Sequence, residues 1–105
     1  MEMGKKDVIE EKLLRFAAPS LYQKMVEIFL EYNIHSYDIY ATVVKQEEGF
    51  DLTLRFSQSF SQSATAFVSF GQAKEPDEEI TGFFKRTAEK CKNQLISDYY
   101  KMIKL

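Results

Sequence analysis

Two side chains in this sequence could open a chemical mechanism, His35 and Cys91. His35 stands in the polar run His35-Ser36-Tyr37-Asp38, where an imidazole beside a hydroxyl and a carboxylate has the groups that acid–base work requires. Catalysis also needs a nucleophile, a base and an orienting group in one place, and a single histidine on a polar loop is ordinarily a surface residue. Metal binding fails for a related reason, since no second His or Cys follows at ligand spacing. Cys91 falls in the middle of an apolar helical stripe. A reactive thiol wants exposure and a neighbouring positive charge. Lys90 and Lys92 are adjacent in sequence, but successive positions on a helix point in different directions, so Cys91 reads as a core residue. Paired catalytic carboxylates, glycine-rich phosphate loops and the HExxH, GxSxG and CxxC patterns are absent. The chain is expected to be no enzyme and to use neither cofactor nor metal.

The remaining candidates are contact surfaces. After residue 80 the basic side chains Lys85, Arg86, Lys90, Lys92, Lys101 and Lys104 outnumber Glu89 and Asp98. On a helix, Arg86, Lys90, Lys101 and Lys104 share one side, a stripe that could run along phosphates. The plainer account is a solvated helix face, with Lys101 and Lys104 favourable at the negative C-terminal end. A net charge of −2 also speaks against a general binder of nucleic acid or anionic membrane.

These residues need a scaffold, and its clearest piece is Phe50-Asp51-Leu52-Thr53-Leu54-Arg55-Phe56, where apolar and polar residues alternate as on a half-buried strand. Flanking it, 37–45 and 64–70 read as two more strands, joined by turns at 46–49 and 57–63. Gly49 is expected to take a positive φ in the first turn. Upstream, Val8/Ile9, Leu13 and Phe16/Ala17 have helical spacing, stopped before Pro19. Ser20 to Gln23 has the form of a capping box, opening a second helix that Asn33 stops in a left-handed conformation. After a loop at 71–75, Pro76 and the acidic Asp77, Glu78 and Glu79 suit a helix start. That helix continues almost to the last residue, about 42 Å at 1.5 Å per residue, and overhangs the sheet.

The result is a single α+β domain, residues 1–105 with a frayed segment 1–7. Its order is α-α-β-β-β-α, a three-stranded antiparallel meander with helices on one face. The α-β-β-β-α part resembles the double-stranded RNA-binding domain in topology alone. That family opens its last helix with a Lys-Lys-x-x-Lys run, whereas Glu75-Pro76-Asp77-Glu78-Glu79 stands here.

If the even-numbered face of the second and third strands is covered, the other face shows Thr53, Arg55, Thr65, Phe67 and Ser69, with Tyr40, Thr42 and Val44 from the first strand. Tyr40, Val44 and Phe67 then form an apolar strip beside Thr53 and Arg55, a candidate surface for a protein partner or a second copy of the chain. The start of the chain lacks an apolar leader and no run of 18 apolar residues exists, so neither export nor a membrane span is expected. With one cysteine and no possible intrachain disulfide, the expected setting is the cytoplasm. The expected role is binding through protein contacts, with a nucleic-acid accessory role along Arg86, Lys90, Lys101 and Lys104 as the alternative.

Overall fold

Helices cover one face of an antiparallel sheet whose strands lie in the order β1-β2-β3-β4. A computed structural model describes residues 10–56 and 62–103, with side chains as far as 97. The segment 1–7, Val8, Ile9 and most of the turn expected at 57–63 lie outside the described residues. The elements are β1 (Glu11–Leu13), α1 (Leu14–Ala17), α2 (Pro19–Glu31), a 3-10 turn (Ser36–Asp38), β2 (Tyr40–Lys45), β3 (Gly49–Phe56), β4 (Gln62–Ser69), α3 (Phe70–Lys74) and α4 (Glu78–Ile103). This is the α+β class that the patterning implies. Among the described residues no helix is long and apolar enough to cross a membrane.

The alternation in β3 sorts its side chains as expected. Leu52, Leu54 and Phe56 are buried under the helices, while Asp51, Thr53 and Arg55 face the other way. Ala41 and Val43 of β2 and Val68 of β4 complete the inner face. Onto it pack Leu21, Met25 and Phe29 of α2 and Ile80, Phe84, Ala88 and Cys91 of α4. The Phe29 and Phe84 rings meet edge to face with centroids 6.5 Å apart, an arrangement that the ring quadrupoles favour.

The sheet has four strands where three were expected. Glu11–Leu13, which has helical spacing with its neighbours, instead runs antiparallel to β2, with Glu11 opposite Val44 and Leu13 opposite Thr42. In this position the Glu11 carboxylate accepts from the Thr42 hydroxyl at 2.6 Å and from Arg55 at 3.3 Å. The first helix is therefore one short turn. Ala18 leaves the α region before Pro19, with φ −146° and ψ 77°. No capping box forms at Ser20, because α2 starts one residue earlier with Pro19 in its first turn and Ala18 as the cap.

A reciprocal cap occurs instead at the end of β4. Ser69 Oγ accepts from the Gln72 N–H at 3.1 Å and Gln72 Oε1 accepts from the Ser69 N–H at 3.0 Å. This opens α3 where a loop was expected and ends β4 before Phe70. Before β2, the Asp38 carboxylate accepts from the His35 N–H at 3.0 Å, which closes the 3-10 turn and delays the strand to Tyr40. Asp77, not Pro76, stands at the head of α4. Its Oδ1 accepts from the Ile80 N–H at 3.1 Å, and the Gln72 amide donates to Oδ2 at 3.1 Å. The Gln72 bond, then the Ile80 N–H, hold the Asp77 carboxyl below its usual range. Asn33 ends α2 at φ 63°, the left-handed stop that its type suggests. Gly49 has no positive φ, and its small size serves another purpose taken up below.

Candidate functional site

The exposed sheet face carries all five residues singled out for partner binding. Across the strands Tyr40 stands opposite Arg55, Thr42 opposite Thr53, and Val44 opposite Asp51, which in turn faces Phe67. Tyr40 is 42% exposed and Phe67 50%. Asp51, however, separates Val44 from Phe67, which puts those two about 10 Å apart by strand spacing. The expected strip becomes separate apolar points on a polar surface. Glu11, Thr42 and Arg55 form one hydrogen-bonded cluster there, and Gln46 donates to Asp51 at 2.7 Å. The Thr42 hydroxyl and then Arg55 hold the Glu11 carboxyl below its ordinary value.

The two side chains with chemical potential are placed apart. The His35 ring stacks on Tyr37, centroids 5.2 Å apart and nearly parallel, in an exposed turn. Asp38, its nearest carboxylate in sequence, accepts from the His35 backbone. Cys91 is fully buried between α4 and the sheet, and burial, then the charge of Asp38, push its thiol up to about 12. A thiol raised in the folded state stabilises fully below the unfolded value near 9.0 and loses that contribution as pH rises toward about 12. The melting temperature should therefore fall through that window, and Cys91→Ala should fall less steeply. Parallel curves for the two proteins would show that the thiol does not titrate with unfolding. Among the described residues, no group of three His, Cys, Asp or Glu side chains could hold a metal ion.

A further site was not foreseen. Phe16, Phe50 and Phe70 line one cleft of about 780 Å³ at the corner between α1, β3 and α3, together with Val43 and Lys45. A second hollow of about 440 Å³ shares Phe50 and Phe70 and continues past Pro19 to Lys74. Phe50 and Phe70 pack edge to face at 5.3 Å. Phe16 is 72% exposed, with the Arg15 guanidinium 4.9 Å from its ring centroid, and Lys45 Nζ lies 5.9 Å from that of Phe70. Helical spacing groups Phe16 and Ala17 with Leu13, and strand alternation groups Phe70 with Ala64, Ala66 and Val68. β1 and the cap at Ser69 change both environments. The one available signal was Pro19, which leaves too few residues after Leu13 for a helix that could bury Phe16.

No family model, curated protein or solved structure matches the chain.

On the basic side, Arg86 and Lys90 are exposed and line a groove of about 300 Å³ between α4 and β4, together with Ala64, Thr65, Phe83 and Thr87. The Lys101 side chain and Lys104 lie outside the described residues. The structure thus brings together two members of the expected stripe.

Proposed function

We propose that this protein is a small binding module that works through protein–protein contacts, a second copy of itself included, and performs no chemistry of its own. The observation that carries this reading is the Phe16–Phe50–Phe70 corner. Interfaces concentrate their energy in a few aromatic anchors ringed by polar groups, and here three phenylalanines border a cleft with cations over two of the rings. Covering a side chain as exposed as Phe16 is worth roughly 1.5–3 kcal/mol, a strong incentive for contact. The polar sheet face with Tyr40, Val44, Thr53, Arg55 and Phe67 is a second contact surface, and of these five Val44 also lines the cleft. A cytoplasmic setting belongs to this proposal and is supported by a lone cysteine, free and buried in the core.

Light scattering over a wide concentration range should give a dimer mass, and Phe16→Ser should give a folded monomer whose melting temperature no longer depends on protein concentration. A monomer at every concentration removes self-association from the proposal. A variant that still dimerises moves the contact away from the corner. Nucleic acid along Arg86, Lys90, Lys101 and Lys104 is the second reading. The groove shared by Arg86 and Lys90 favours it, and the acidic balance of the chain sets it behind.

A further inference from the structure

β4 is the terminal strand of the sheet, and among the described residues nothing pairs with its far edge. Open edges invite other strands, so natural proteins usually blunt them with charge, proline, bulges or short length. β4 uses none of these. Its eight residues, Gln62–Ser69, include no charged side chain and no proline, and its register with β3 is unbroken from Gly49↔Ser69 to Phe56↔Gln62. The opposite side of the sheet differs, since β1 covers part of β2 there.

The ladder also fixes which backbone groups are on offer. The Phe70 N–H donates to the Glu48 carbonyl, in step with the β3–β4 register. Antiparallel pairs alternate between hydrogen-bonded and non-bonded. The even-numbered residues of β4 are therefore the bonded ones, and Ser63, Thr65 and Phe67 turn their N–H and C=O groups toward the open edge. Beside that edge, α4 leaves the groove of about 300 Å³, with Arg86 and Lys90 on its wall and no carboxylate among its lining residues.

We propose that the β4 edge and this groove together take an extended acidic peptide segment, which adds as a fifth strand and turns alternate carboxylates toward Arg86 and Lys90. A peptide backbone matches the edge because it supplies both donors and acceptors, and a phosphodiester chain supplies no matching row of donors. The two cations, facing no carboxylate in the groove, select negative charge on the side chains that point toward α4. A second copy fits poorly, because antiparallel β4–β4 pairing brings Arg86 and Lys90 of both chains together across the axis. The inference rests on the reading of this protein as a protein binder, at a surface separate from the aromatic corner.

The probe is an end-blocked peptide alternating valine and glutamate, matched in length to β4, with a valine–lysine peptide as control. Amide shifts in the labelled protein should follow titration with the acidic peptide, centred on β4 and the facing side of α4, and should be absent with the control. Thr65→Pro removes an outward N–H without touching the β3 ladder and should abolish binding. Arg86→Glu with Lys90→Glu, two exposed changes that leave the core intact, should weaken it about tenfold or more. Phe16→Ser should leave it unchanged, which separates this site from the corner. Equal binding of the two peptides, no binding of the acidic one, displacement by single- or double-stranded nucleic acid, or concentration-dependent shifts at β4 without peptide would each overturn the proposal.

Discussion

Phe84→Ala should remove a large share of the stability of this protein, about 3–5 kcal/mol from a total of about 5–15 for a domain of this kind. Phe84 is fully buried, meets Phe29 of α2 edge to face at 6.5 Å, and also touches the Phe83 ring at 5.9 Å between centroids. It is thus the point where α4, α2 and the sheet are held together. Alanine leaves a cavity the size of a ring in a layer that includes Ile80, Ala88 and Cys91, and rigid helices relax into such a space only in part. Urea unfolding measures the effect as a large drop in midpoint with little change in slope. A loss below about 1 kcal/mol would mean that α4 does not depend on this ring for docking. The functional consequence follows from position. Arg86 and Lys90 lie within two turns of Phe84, so loosening α4 also takes down the wall of its groove with β4. Phe84→Leu, which keeps most of the apolar volume, should retain both stability and groove.

The inner and outer faces of the sheet were legible because strand alternation has a period of two and β3 holds it through Phe56 without interruption. One assignment, Leu52 and Leu54 inward, therefore fixes Asp51, Thr53 and Arg55 outward, and the register carries the same sorting to β2 and β4. Short elements were not legible. In Glu11–Leu13, three residues are too few for period two and period 3.6 to be told apart. What decides them is a long-range partner, the Thr42 hydroxyl and Arg55 for Glu11, which lie 31 and 44 residues away. The capping box expected at Ser20–Gln23 does not form, and a reciprocal cap forms instead at Ser69–Gln72, where the end of β4 supplies the geometry. The aromatic corner depends on both of these outcomes at once. For that reason it was invisible along the chain, although each of its phenylalanines was in plain view. The strip of Tyr40, Val44 and Phe67 is interrupted for a simpler reason: residues on one face are not neighbours until the register is known, and Asp51 occupies the place between two of them.

Gly49→Ala should destabilise the β3–β4 pair by about 1–3 kcal/mol, and more if the backbone cannot yield. A turn glycine invites the explanation that only glycine tolerates a positive φ, yet no described glycine has one. The constraint at Gly49 is close approach. A Cβ built there would overlap the Val68 carbonyl oxygen and lie 2.8 Å from both Phe67 Cζ and Ser69 Cα. The Phe67 ring can swing away, but Val68 O and Ser69 Cα belong to the paired strand and cannot move without opening the ladder. Gly49 is also the acceptor for the Gln46 N–H at 2.7 Å, and next to it Glu48 accepts from the Phe70 N–H at 3.3 Å. Pushing the strands apart here therefore disturbs both the hairpin and the start of α3, where Phe50 and Phe70 pack together. The two explanations separate cleanly by experiment. If conformation were the issue, asparagine, which tolerates the left-handed region, would be milder than alanine. Because space is the issue, Gly49→Asn should be at least as damaging as Gly49→Ala in thermal unfolding, and both should weaken the dimer attributed to the corner more than Thr53→Ala on the open sheet face. A milder effect of asparagine would return Gly49 to the conformational explanation.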